Sequence, residues 1–449
     1  MKVPHHPRHR LARALALGLG AAALAAPAAS AHHQSRTDAV STWNGNAGKA
    51  AVVACLAPDN DPLHESRLYA MTHVAIHDAL NAIDRRSRPY AFAGRARPGA
   101  SVDAAVAAAA RDVLVPVLSE QTTPPLAGCV GPAVASVEAD YAAALAEIPE
   151  GRAKRRGLAV GAAAADAIVT LRSGDGADTT LFDTAFPQDT TPGVWRFTPG
   201  TDFAFAPGWA DVTPFVLRDA AQFRPGPPYP LTSRRYAADF NEIKALGGLN
   251  GSARTPDQTE IAHFWVESSP LGWNRIARTV SQGADPWKQA RLFGLLNLAL
   301  ADGYISSFDT KYHYDYWRPV TAIHEAASDG NPDTQADPSW ASLWTTPPVA
   351  DYDSAHSVEG GAAAAVLRLV LGRDRVRFST CSTTLPDRKC GDPSPVYRHY
   401  RSFSQAAEEN RLSRIYVGFH FRKATREGNE HGRKVGERAV DRFMRPTRR

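Results

Sequence analysis

Apolar residues recur at every third or fourth position through long stretches of this 449-residue chain, the period of a helix with one buried face. The clearest run is HESRLYAMTHVAIHDALNAI at 64–83. Stretches of the same period at 102–118, 133–147, 152–172, 235–246, 256–267, 287–309, 357–371 and 398–422 predict eight further helices in Ala- and Leu-rich surroundings. Alternating strand patterns are scarce. The Pro-, Gly- and Asp-rich segment 173–231, with TTPGVWRFTPG and RPGPPYPL, carries too many aromatic residues for a flexible tether and reads as a long ordered loop laid over the helices. With no internal repeat and no linker, the picture is one all-α domain.

Composition changes this picture at the N-terminus. The opening MKVPHHPRHRLARALALGLGAAALAAPAASA has a basic start, a short apolar run and small residues at Ala29-Ser30-Ala31, the pattern of a secretory signal cut before His32. Its loss removes Lys2, Arg8, Arg10 and Arg13, so the formal charge of +5 falls to about +1 and nucleic-acid binding loses its main support. No later stretch has the 18 or more uninterrupted apolar residues of a membrane span: GLAVGAAAADAIVTL holds Asp166, and GGAAAAVLRLVLG holds Arg368. A soluble, secreted protein of residues 32–449 is expected, with its site in the C-terminal half, about 287–425. In an exported chain four cysteines suggest disulfides. Cys381 and Cys390 enclose the turn-rich STTLPDRK, which leaves Cys55 with Cys129; a metal site is the alternative, without a Cys-x-x-Cys spacing to support it.

Candidate chemistry sits on four stretches. His73 and His77, four apart in HVAIH, have the spacing of zinc ligands but lack a third ligand in frame, so a hydrogen-bonded helix face is the expectation. In KYHYDYWRP, Lys311 and Arg318 are seven apart, which on one continuous helix puts two cations on one face about 10 Å apart. Asp315 between them would then bridge both by helix salt bridges. In DYDSAHSVEGG, Ser354 occupies an N-cap position, so the N–H of Ala355 points out of the helix end beside His356. In RLSRIYVGFHFRKA, Ser413 and His420 would share one helix face with Arg414 within reach. Each stretch taken singly has a plainer reading: a solvated face, a capped helix, a packed histidine. The last three together gather the cations Lys311, Arg318 and Arg414 and the histidines His356 and His420, and burying such a cluster makes sense around a multivalent oxyanion. Mutual repulsion predicts that removing one cation leaves the anion-free protein as stable or more so.

The series Lys311-(six residues)-Arg318-Pro319, Ser354-Ala355-His356, Ser413-Arg414-(five residues)-His420 resembles the three-part signature of the vanadium-dependent haloperoxidases and the type 2 phosphatidic acid phosphatase superfamily, in its bacterial haloperoxidase-like branch. Three departures stand out. Asp353 and Ala355 replace the usual Pro and Gly, and Ala424 stands where an acidic residue often follows the last histidine. The resemblance implies two packed four-helix bundles with long ordered loops. It implies that Lys311, Arg318, Arg414, Ser354 and the Ala355 N–H hold vanadate, that His420 bonds to the metal and that His356 is the acid/base. The implied activity is halide oxidation by hydrogen peroxide, passing the halogen to an organic acceptor. The alternatives are an exported acid phosphatase that forms a phosphohistidine at His420 from a phosphomonoester, with phosphate or no cofactor, and a non-catalytic oxyanion-binding protein on the same fold.

Overall fold

The computed structural model describes residues 38–58 and 60–447. The secretory signal expected at 1–31 lies outside them. Helices α1 (Ala39–Val53), α2 (Pro62–Ile83), α3 (Val102–Ser119), α4 (Val130–Ala146) and α5 (Arg152–Leu171) come first. Then follow α6 (Arg234–Gly247), α7 (Pro256–Phe264), α8 (Ser269–Val280), α9 (Pro286–Tyr314) and α10 (Pro319–His324). Last are α11 (Ala355–Leu371), α12 (Phe403–Tyr416) and α13 (Arg422–Arg442). Among the described residues the strands are two short antiparallel pairs, Phe182–Asp183 with Ala204–Phe205 and Phe378–Thr380 with Arg398–Tyr400.

One bundle is built from α2, α3, α4 and α5, the other from α9, α11, α12 and α13, and α2 packs on α9 where they meet. The closest pairs in both bundles use glycine at four-residue spacing. Gly157 and Gly161 of α5 lie so near α3 that an added Cβ would stand 2.4 Å from the Ser101 and Ala105 carbonyl oxygens. Gly428, Gly432 and Gly436 of α13 lie equally close to Ser354, Val358 and Ala362 on and before α11. Four residues per repeat keeps these positions on one stripe, so backbones can touch where side chains would hold them apart.

The long loop is ordered by buried carboxylates. Asp302 in the middle of α9 accepts hydrogen bonds from the backbone N–H groups of Phe215, Val216 and Leu217 at 2.6–2.7 Å. Further along, Trp195 and Trp317 donate backbone bonds to Asp315 and Gly193, which ties the loop to the turn after α9. His73 and His77 take the expected place on a packed helix: His73 Nε2 meets Asn44, and His77 is held by Asp78 at Nδ1 and Ser87 at Nε2.

Both expected disulfides are present, Cys55–Cys129 and Cys381–Cys390, with no free cysteine among the described residues. The first closes a loop of 74 residues, for which restriction of the unfolded chain contributes about 4 kcal/mol. Non-reducing peptide mapping should recover these two links and no alkylatable thiol. Reduction should lower the melting temperature mainly through the first.

Candidate active site

The segment 311–318 is not one helix. α9 stops at Tyr314 because Asp315 takes a left-handed conformation (φ 45°), its N–H closing the last turn on the Lys311 carbonyl at 2.8 Å. Arg318 then precedes Pro319 at the start of α10. Proline requires the extended backbone seen at Arg318, so the chain turns and the two cations converge from different elements. The salt bridges expected from Asp315 do not form; its Oδ1 is buried without a partner.

The segment 398–422 likewise divides. A short strand gives way to α12, which ends at Tyr416, and Gly418 at φ +87° turns the chain before α13. A side chain there would also strike the Gly247 carbonyl oxygen and Ser342, so conformation and space both demand glycine. His420 follows in this turn, its N–H and that of Phe419 bonded to the Arg414 carbonyl. It does not share a helix face with Ser413, whose hydroxyl donates to the Asn410 carbonyl.

Lys311, Arg318, Ala355, His356, Arg414 and His420 line one cavity of about 560 Å³. Its remaining wall is largely apolar: Phe182, Phe203, Phe205, Phe308, Trp344, Pro347, Pro348 and Val349, with the Cys55–Cys129 disulfide at the edge. Ser354 adjoins this cavity without lining it, and its hydroxyl accepts from Ser357 at 3.0 Å. It caps no N–H of α11, which leaves the first turn of that helix open toward the cavity. Ala355 is helical, so the change from glycine costs nothing in backbone strain.

The three cations are buried and each titrates lower than usual. Burial, then the neighbouring Arg318, brings Lys311 down to about 7; burial brings Arg318 to about 10; burial, then Arg318, brings Arg414 to about 9. Their hydrogen bonds differ. Lys311 Nζ donates to the carbonyls of Ala350 (2.9 Å), Asp351 (3.1 Å) and Asp353 (2.5 Å), which uses all three ammonium donors. It clamps the loop before α11 and offers the cavity its charge. Arg318 donates to the Val349 and Phe419 carbonyls and approaches His420 Nε2 at 3.1 Å. Arg414 donates to the Trp265 carbonyl, and its Nε is buried with no partner.

Asp351 is the residue that sequence reasoning missed. Its Oδ1 lies 2.9 Å from His420 Nδ1, so a proton on Nδ1 is held there and the lone pair is left on Nε2. Burial raises the Asp351 carboxyl to about 7, and burial with Arg318 holds the His420 imidazole well below its usual range, so the ring is uncharged at neutral pH. Lys311 and Asp351 attract, each favouring the other's charged form. Asp353 faces away, accepting from the Ser307 hydroxyl and from His431 of α13, both at 2.8 Å. Its charge is thereby used to fix the Ser354 loop. His356, second residue of α11, has Nε2 3.3 Å from the Glu267 carbonyl; burial and Arg414 keep it uncharged.

An oxyanion fits this donor set. Three cations that outnumber the one carboxylate beside them, Asp351, together with an unpartnered guanidinium nitrogen, an open helix end and an oriented imidazole, surround one space.

Residues 291–449, which hold every one of these groups, match the VCPO second helical-bundle domain family. The vanadium chloroperoxidase of Curvularia inaequalis is 25% identical over 283 residues, 48% of this chain; the match spans 45% of that protein's length. A bacterial vanadium-dependent iodoperoxidase crystal structure superposes with a TM-score of 0.72 at 24% identity, covering 92% of this chain and 98% of that one. A bacterial vanadium-dependent chloroperoxidase in its apo form gives 0.67 at 15% identity, over 86% and 95%. The C-terminal bundle thus matches the VCPO second helical-bundle domain family, and the fold of the chain is that of the bacterial vanadium haloperoxidases.

Proposed function

We propose that the protein is a secreted haloperoxidase that holds vanadate at His420 and uses hydrogen peroxide to oxidise halide. The observation that carries this reading is the imidazole of His420, turned by Asp351 so that an unprotonated Nε2 stands among three cations. Arg318 and Arg414 would hold the oxyanion by charge-assisted hydrogen bonds, and Lys311 would add charge from behind its three carbonyls. The Ala355 N–H and the α11 end complete the cradle. Vanadate, when bound, supplies an electrophilic centre that activates peroxide toward a halide. His356 stands at the cavity as an uncharged imidazole able to take and return a proton. The apolar wall of Phe203, Phe205, Phe308 and Trp344 keeps the site poor in water and gives an organic acceptor a surface.

The test is oxidation of iodide, bromide and chloride by peroxide in the mature protein, with and without added vanadate. Vanadate-dependent oxidation of at least one halide is expected. Vanadate-inhibited hydrolysis of a phosphomonoester at acidic pH, with no halide oxidation, would assign the chain to the phosphatase branch instead.

A further inference from the structure

Directly behind the cavity two glutamates are buried with nothing to pair them. Glu65 of α2 and Glu359 of α11 are both inaccessible to solvent, and none of their four carboxyl oxygens has a hydrogen-bond partner among the described residues. Glu359 lies one turn after His356 on the same helix. Its Oε1 presses on α9 at Gly303, where an added Cβ would stand 2.3 Å away, so a glycine keeps room for the acid. The next residue, Tyr304, has a buried hydroxyl without a partner, as does Ser268, and both line the oxyanion cavity with His356. An ionised carboxylate cannot be left bare in such a place, whereas a carboxylic acid can.

Glu65 also lies within the field of Asp61. Asp61 is one turn earlier at the start of α2, with Oδ2 2.7 Å from His64 Nδ1. His64, its side chain 20% exposed, lines a separate cavity of about 330 Å³ with Glu120. Glu65 is thus within one helical turn of residues lining the outer cavity, and Glu359 within one turn of His356 at the inner one.

Resting on the haloperoxidase reading, we propose that Glu65 and Glu359 are a proton store and relay, filled through His64 and Asp61 and emptied through Tyr304 and Ser268 toward His356. The demand is set by stoichiometry. When peroxide oxidises a halide to a hypohalous acid, the O–O bond breaks, one oxygen goes to the halogen, the other leaves as water, and one proton is consumed. The proton leaves a glutamic acid, the hydroxyl of Tyr304 or Ser268 passes one on to the cavity, and the glutamate takes its replacement from the His64 side.

The surrounding charges suit a store that is full at neutral pH. Burial raises Glu65 to about 8, with Glu267 and Asp61 adding to the shift, while Ser268 and Arg275 oppose it. Burial and Glu65 raise Glu359 well above the carboxylate range. Tyr69 of α2, Tyr304 of α9, Arg275 and Arg278 of α8 and Arg414 of α12 complete the titratable groups around the pair. α13 brings glycine, Gly432, to this part of α11.

Glu65→Gln and Glu359→Gln keep volume and remove the exchangeable acid, with Tyr304→Phe as a third variant should either fail to fold. In the vanadate-loaded full-length mature protein, kcat for halide oxidation should fall on the order of tenfold or more above neutral pH. The loss should shrink toward acid pH, where solvent supplies protons directly, and vanadate affinity should change less than twofold. Infrared difference spectra over a pH titration should show a carboxylic-acid band at neutral pH that each Gln variant diminishes. Wild-type pH profiles in both variants would overturn the relay, as would an equal loss at every pH together with lost vanadate affinity. If wild type binds vanadate but oxidises no halide, the haloperoxidase reading falls by itself. The infrared titration then decides, and absence of the band overturns the store.

Discussion

His420→Ala is expected to reduce vanadate-dependent halide oxidation to background while the protein remains folded. The imidazole faces the cavity uncharged, with its lone pair turned toward the three cations by Asp351 on the opposite nitrogen. Lys311, Arg318 and Arg414 present cations and Ala355 an N–H, and the other neutral imidazole, His356, is held at the Glu267 carbonyl, so none of them takes its place. His356→Ala should behave differently, with anion binding retained and a rate loss of roughly 10²- to 10⁴-fold, the usual cost of a missing acid/base. Asp351→Asn should weaken vanadate binding by about 10- to 100-fold, since it allows the ring to protonate on the wrong nitrogen. The measurements are steady-state halide oxidation and vanadate titration followed by thermal shift. Wild-type activity in His420→Ala would end the assignment.

These three effects depend on geometry that the chain discloses unevenly. Long Ala- and Leu-rich helices such as α2, α3 and α11 announce themselves because their buried face is apolar. α13 is hidden: REGNEHGRKVGERAVDR reads as polar, and its contact stripe is Gly428, Gly432 and Gly436, residues that register as absence of hydrophobicity. α1 and α8 are masked by their glycines and asparagines, of which Asn44 and Asn274 bond to one another in the core. The breaks at Asp315 and Gly418 are missed for the opposite reason. Helical spacing continues through them, and only tertiary contacts, to Gly193 in one case and Gly247 in the other, show why the chain must turn.

The candidate site residues were legible as a pattern and their partners were not. Lys311, Arg318, Ala355, His356, Arg414 and His420 meet at one cavity. Asp351 is 69 residues from the histidine it orients, and neither spacing nor residue type marks it out from Asp353 two positions later. Their roles separate only in space: one carboxylate faces His420, the other is consumed by Ser307 and His431. The departure at Asp353 is therefore compensated within the chain by α13, which supplies His431 and, through Gly428, room for the Ser354 backbone.

The second large effect belongs to Lys311→Met, and here the structure reverses the expectation from repulsion alone. Removing a cation from a cluster of three relieves Coulomb repulsion, which by itself would stabilise the anion-free protein. Lys311 also donates to three buried carbonyls, and methionine would leave all three without a donor at a cost of about 1 to 3 kcal/mol each before relaxation. Three such losses outweigh the repulsion relieved, so anion-free Lys311→Met should melt several degrees below wild type. The pH dependence carries the sign of the titration. Lys311 sits at about 7 in the folded protein against 10.5 ordinarily, so between those values the unfolded chain binds the proton that the folded protein releases. Wild-type stability relative to Lys311→Met should therefore rise as pH increases from about 7 to about 10, by at most about 1.4 kcal/mol per unit. Bound phosphate or vanadate holds the ammonium charged and should flatten that slope in wild type. A charge a few ångströms from the anion at an effective dielectric near 20 contributes about 2 to 4 kcal/mol, so the variant should bind either anion tens-fold or more weakly. Thermal melts of both proteins across this pH range, with and without phosphate, decide the matter. Equal anion-induced shifts in the two proteins would mean that the charge of Lys311 is spent on its carbonyls alone and that the cradle is made by the two arginines.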